Sequence, residues 1–198
     1  VAGEANPTFE QNLVVRLVSA DGEELALQPT TIQADLGNRG PFEIEIPFNV
    51  SGEQNAFIQV FSQSPRDGAI EHLSSVNVRL ADSGPEDIRP ATSGPERIAI
   101  LEPEQGATIS GGVVHVEGFG LASFEQTLVV DLLDAEGNTL AREPLTVEAP
   151  DLGQPGPFSV DLSYNISAGT PARVVVRDPS PAFNGTVHLN SVTVRLEP

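Results

Sequence analysis

The stretch TFEQNLVVRLVSADGEELA at residues 8–26 is written again, with changes, as SFEQTLVVDLLDAEGNTLA at 123–141. Over 8–27 and 123–142, 11 of 20 positions are identical. The match extends outward: GPFEIEIPFNVS at 40–51 answers GPFSVDLSYNIS at 156–167, and HLSSVNVRL at 72–80 answers HLNSVTVRL at 188–196. The offset drifts from 115 to 116, which places a one-residue insertion near 152–155. Insertions are tolerated in loops. A repeat of about 80–100 residues is too long for a solenoid unit and suits a whole small domain.

The local pattern of each copy is β. Leu128, Val130 and Leu132 alternate with Val129, Asp131 and Leu133, and Val192, Val194 and Leu196 alternate with Ser191, Thr193 and Arg195. A period of two with one apolar face fits a two-layer sandwich. The second copy predicts seven short strands: 97–101, 113–118, 127–134, 139–149 with a break at Pro144, 157–164, 172–178 and 189–197. Gly, Pro, Asn and Asp punctuate them. The predicted organisation is an all-β chain of two tandem immunoglobulin-like β-sandwiches: 1–80, a Pro/Gly/Ser linker at 81–96, and 97–198. We expect the linker to be semi-extended.

The first copy starts at VAGEA, which aligns with VEGFG at 116–120. Residues 1–80 therefore hold no counterpart of Arg97–His115, and the first strand of the fold is missing from this copy. That predicts an unpaired strand edge at Val1, Ala2, Gly3 and Glu4, of the kind proteins usually protect. A preceding segment, the linker or another chain can supply the partner.

Composition narrows the function classes. The net charge of −18 repels phosphate backbones and anionic lipid surfaces, so neither nucleic acid nor membrane docking is expected. With no cysteine, thiol nucleophiles, disulfides and Cys-based zinc sites are excluded. No segment approaches the length of a membrane span. The chain opens at Val1 inside a strand, so the lack of a visible signal peptide does not argue for the cytoplasm.

Several residues merit weighing as sites. Phe9-Glu10-Gln11 and Phe124-Glu125-Gln126 offer one repeated acid each, where glycoside hydrolysis typically needs two carboxyls. Their repetition favours a structural corner, with Phe as a core plug and Glu and Gln bound to loop backbone. His72 and His188 match each other and His115 stands alone, too few for a metal set. Ser74, Ser75 and Ser191 lie near a histidine in sequence, but no Gly-x-Ser-x-Gly elbow exists. The turns at Asp21 and Asp134 lack the calcium-loop pattern and read as hairpin turns. Asn49, Asn165 and Asn184 are formal glycosylation acceptors. The loops at 63–71 and 178–187 differ most between copies, so Arg66, Asp67, Phe183 and Asn184 are the candidate ligand contacts. No catalytic residue, metal or cofactor is expected.

Pro103 and Gly106, Val116-x-Gly118, Phe124-Glu125, Leu128–Leu132 with Asp134 and Gly137, Gly156-Pro157-Phe158 and Val192-x-Val194-x-Leu196 together resemble the immunoglobulin-like domain of bacterial spore-germination and envelope proteins. The first copy carries the same set from Val1 and Gly3. The resemblance implies a non-catalytic, extracytoplasmic module and hands over no catalytic residue. The loops SPRDG and SPAFNG depart from one another, so no shared ligand is implied. The expectation is an extracellular or cell-surface structural or adhesion module, with protein partners through self-association or other envelope proteins. Its sharper form is a filament subunit whose open edge takes a strand from another chain. The alternative is a domain that binds carbohydrate or peptidoglycan (cell-wall glycan), which a single Tyr and no Trp disfavour.

Overall fold

A computed structural model describes residues 1–89 and 96–198; the remainder of the predicted linker lies outside the described residues. The chain forms two compact units, Val1–Pro95 with Ala182–Asn184, and Glu96–Pro181 with Gly185–Pro198.

The second unit is a two-layer sandwich. Its first layer holds β12 (Gly156–Ser163), β9 (Val113–Gly120) and β7 (Ile98–Glu102), in that order. Its second layer runs β11 (Thr139–Thr146), β10 (Thr127–Asp134), β13 (Thr170–Pro179) and β14 (Thr186–Leu196), and β8 (Thr108–Ile109) pairs in parallel with the end of β14. The predicted alternation holds: Leu128, Val130 and Leu132 are fully buried between the layers. They join Val114, Val116, Phe158, Leu162, Val174, Val176 and Leu196 in one continuous core. Apolar contacts of this kind supply most of the stabilisation, at about 25 cal/mol per Å² removed from water.

The predicted break at Pro144 does not occur, and β11 passes straight through it. Pro144 lies opposite Val129. The amide of Val147 reaches the carbonyl of Gln126, which sets Leu128–Leu145 as the next bonded pair and leaves the nitrogen of Pro144 facing away from β10. A proline is tolerated at such a position on an edge strand. After β7 come a cis peptide at Glu102–Pro103 and the two-residue strand β8, which is not among the seven predicted strands.

In the first unit, β3 (Glu24–Thr31), β2 (Asn12–Ser19), β5 (Gln54–Gln63) and β6 (Ile70–Leu80) lie side by side in that order. The opposing layer is reduced to β1 (Ala2–Ala5) against β4 (Gly40–Glu43). The core includes Leu13, Ile32 and Phe42 at one end and Leu17, Ala56 and Leu80 at the other, with fully buried Val15 between Leu13 and Leu17 on β2.

The repeated Phe-Glu-Gln is a corner, but Phe is not its plug. Phe9 and Phe124 are more than half exposed. Glu10, Gln11, Glu125 and Gln126 all have positive φ, between 48° and 58°. Left-handed backbone in a non-glycine residue costs roughly 1–2 kcal/mol. Gln11 offsets this: it is buried, and its Nε2 donates to the carbonyls of Ala34, Asp35 and Asn38 at 2.9–3.3 Å. Gln126 makes one such bond, to Asp151 at 3.2 Å.

Candidate functional site

The open edge begins with the pairing of β1. The Val1 amine donates to the Ile44 carbonyl at 2.8 Å, and the Ile44 amide returns a bond to Val1 at 2.9 Å. Antiparallel pairs bond at every second residue. Gly3 and Ala5 thus face β4, while Ala2 and Glu4 direct their amides and carbonyls to the other side. Among the described residues no strand pairs on that side. In the second unit the matching strand, β9, is flanked on both sides. β12 covers one edge, and β7 covers the other with Ile98 opposite Gly120 and Ala99 opposite Phe119. Val1 leads directly into the strand that holds Ala2, Gly3 and Glu4, and an ion pair there joins Glu4 and Arg39 at 3.1 Å, both well exposed.

The surface continues past β1. Residues 44–47 form no strand, although their counterparts 160–163 lie within β12. Phe48 is 45% exposed, whereas its counterpart Tyr164 is 7% exposed. The Tyr164 hydroxyl is held by the carbonyls of Ile109 (3.0 Å) and Glu197 (2.8 Å). Ile109 belongs to β8, part of the segment that has no counterpart in residues 1–80.

The loop candidates hold themselves in place. Arg66 pairs with Asp67 at 3.1 Å, and Asp67 accepts the Ala69 amide at 3.1 Å. Phe183 is half-buried and Asn184 exposed in a turn closed by the Ser180 amide on the Gly185 carbonyl. Asn49 and Asn165 are also exposed. Asp134 is a turn former: Asn138 and the amides of residues 136–138 hold its carboxyl below the usual range.

His115, alone in the sequence, is not alone in the fold. It stands directly across the ladder from Asp161, with its Nδ1 at 2.6 Å from the carboxylate. Its Nε2 lies 3.5 Å from the Ser159 hydroxyl and 3.7 Å from Glu117. The Asp161 hydrogen bond lifts the imidazole above its ordinary range; partial desolvation opposes it, and Glu117 adds a smaller upward push. The order Ser–His–Asp resembles a nucleophilic triad, but the site lies on an open sheet face whose backbone amides belong to the β9–β12 ladder. No oxyanion-binding amides converge there, and these donors carry much of acyl-transfer catalysis. Among the described residues no group of three or more His, Cys, Asp or Glu is arranged to hold a metal ion.

Sequence reasoning missed two buried polar features. Asp131 sits on β10 between the guanidinium groups of Arg142 and Arg177, the latter at 2.7 Å. Asp178, fully buried across from His188, accepts the Ser123 amide at 2.9 Å. Burial pushes its carboxyl above the ordinary range, against the pull of Ser123 and Arg97. The repeat alignment itself carried a signal for the first: it sets Asp131 against Arg16, a reversal of charge at a central strand position.

The family model described as the immunoglobulin-like domain of bacterial spore germination matches residues 1–69 and 97–185. No curated protein matches the chain. A solved structure of a mutant of CfaE, the CFA/I adhesin of enterotoxigenic E. coli, aligns with 100% of this chain and 79% of its own, at 11% identity and a TM-score of 0.25. A likeness that low carries no argument about fold or function. No helix among the described residues is long and apolar enough to cross a membrane.

Proposed function

The chain belongs to the immunoglobulin-like domain family of bacterial spore germination, and from that membership we propose that it is a non-catalytic structural or adhesion module of a bacterial cell surface, whose first unit takes a further β-strand along β1, from a segment ahead of Val1 or from another chain. The observation that carries the reading is the difference between equivalent strands: β9 is paired on both edges, β1 on one. Strand addition uses the outward amides and carbonyls of Ala2 and Glu4 for affinity and the alternating side chains of the donor for specificity. Protein–protein contact through a sheet edge also suits a chain whose charge disfavours nucleic acid and anionic lipid.

The test is the assembly state of the purified chain across a concentration series, by size exclusion with light scattering and by negative-stain microscopy. Self-association or capture of an envelope protein that Ala2→Pro abolishes supports the proposal, since that proline removes an outward donor and leaves the β4 pairing of Gly3 intact. A monomer at every concentration that captures no envelope protein overturns the intermolecular form of the reading and leaves the strand to the same chain.

A further inference from the structure

The outer face of the three-stranded sheet in the second unit carries a site of its own, separate from β1. On β9 the fully buried Val114 and Val116 point into the core, so alternation turns His115, Glu117 and Phe119 outward. Ser159 and Pro157 of β12 lie directly across from Glu117 and Phe119. Leu101 belongs to β7, and both it and Phe119 are more than half exposed. These side chains, with Glu148, line a cavity of about 170 Å³. Pockets for whole small molecules run to roughly 300–1,000 Å³, so this one suits a single side chain.

The lining combines an aromatic ring, Leu101 and Pro157 with two carboxylates, and it includes no arginine. Glu117 stands 3.7 Å from the His115 imidazole, whose closer partner is Asp161 at 2.6 Å. Among the described residues no hydrogen bond or ion pair engages the Glu148 carboxylate. A cationic head on an apolar stem satisfies both halves of such a lining. Methylenes cover the apolar wall, the head meets the carboxylates, and the ring face attracts the cation.

The first unit shows which cation. There the counterpart of Phe119 is Glu4, and the Arg39 guanidinium sits on it at 3.1 Å. Arg39 comes from the loop that leads into β4. In the second unit the matching loop has Pro155 in the place of Arg39. Carboxylates stand at Glu117 and Glu148, where the first unit has Ala2 and Gln33, but the arginine is gone. A planar guanidinium can stack on a ring while it forks to a carboxylate, which an ammonium cannot do. The net charge of −18 sets copies of this chain against one another and favours a basic partner.

We infer that this cavity is a docking point for an arginine side chain presented by a different, basic protein. The guanidinium lies over Phe119 with Glu117 and Glu148 as acceptors, and its methylenes run along Leu101 and Pro157.

The probe is Nα-acetyl-arginine amide, titrated into the isotope-labelled full chain and followed by amide NMR shifts. Saturable shifts with millimolar affinity are expected at Leu101, Glu117, Phe119, Glu148 and Ser159. The citrulline analogue keeps the shape of arginine without its charge and is expected to bind about tenfold more weakly. Glu148→Gln and Phe119→Ala are each expected to weaken binding about fivefold, with well-dispersed spectra showing the fold intact. No shifts at these amides, or equal shifts with the citrulline analogue, overturn the inference. Shifts from a chitin oligosaccharide where the arginine probe gives none would make the face a glycan platform and also overturn it. Shifts that follow protein concentration alone would give the face to a second copy and remove the separate partner. None of these outcomes depends on what pairs with β1.

Discussion

At the middle of β10 a buried carboxylate, Asp131, is clamped by Arg142 and Arg177. At the same station of β2 stands Arg16, which donates to Gln59 Oε1 at 2.6–3.1 Å and lies over the Phe61 ring at 5.2 Å. Gln59 is itself buried and passes a bond to Ser75 at 3.2 Å. One backbone position thus accepts either sign of charge, provided the neighbouring strands change with it. What the fold fixes is a partnered polar group; its sign is free. The two cores teach the complementary lesson. Apolar positions are nearly unchanged between the copies, yet Leu162, Val174 and Val176 are fully buried where Ile46, Ile58 and Val60 are only partly so. The difference lies in the segment laid across them.

The strongest way to break this comparison uses a pair of glycines. A Cβ on Gly118 would stand 2.1 Å from the Ala99 carbonyl of β7, whereas one on Gly3 would meet only the Phe42 ring, at 2.8 Å. A carbonyl in a ladder cannot retreat without losing its strand, but a ring tip can turn. Gly118→Ala is expected to cost upwards of about 4 kcal/mol and to expose β7, and Gly3→Ala about 1–2 kcal/mol. Calorimetric unfolding of both variants measures this. Equal effects would show that β7 does not hold its edge as described.

The polar centres come next. Asp131→Ala leaves two guanidinium groups without their shared carboxylate and is expected to cost about 3 kcal/mol, as breaking a buried pair does. Arg16→Ala leaves a buried amide oxygen short of a donor and is expected to cost about 1–2 kcal/mol. Urea unfolding of the two variants ranks them. An Asp131→Ala loss no larger than that of Arg16→Ala would mean the clamp is no stronger than the amide network.

The smallest effect concerns His115, which has no counterpart in residues 1–80. Its folded pKa is raised by Asp161, so the folded state holds the proton more tightly. The stabilisation is fully present below the unfolded value of about 6.5 and is lost as pH rises through the raised folded value. The pair is exposed and solvent-screened, so the gain is roughly 0.5 kcal/mol or less. His115→Gln should flatten the stability–pH curve in that window; an unchanged slope would remove the Asp161 pair as its source.

The repeat made most of the fold legible. Once 8–26 was aligned with 123–141, alternation gave the faces, and Gly-Pro-Phe and the closing Val-x-Val-x-Leu gave the strand ends. The vacant counterpart of Arg97–His115 was visible in the same alignment. What stayed hidden depends on long-range pairing. Arg177 lies 46 residues from Asp131, and Asp161 lies 46 residues from His115. Nothing local announces which strands will bring them together. β8 is two residues long and exists only because β14 offers it an edge. Phe9 and Phe124 misled because aromatic residues at a repeated corner usually point inward, and here two positive-φ residues turn them out.

Tyr164 has a photophysical consequence. The chain has one Tyr and no Trp, so emission in the tyrosine band comes from a single ring, packed in the second unit's core with its hydroxyl on two carbonyls. The first unit contributes only the feeble phenylalanine background. Ordinary ultraviolet fluorescence of this protein is thus a one-unit reporter, and subtracting it from a probe that sees the whole chain isolates the unit that does not glow.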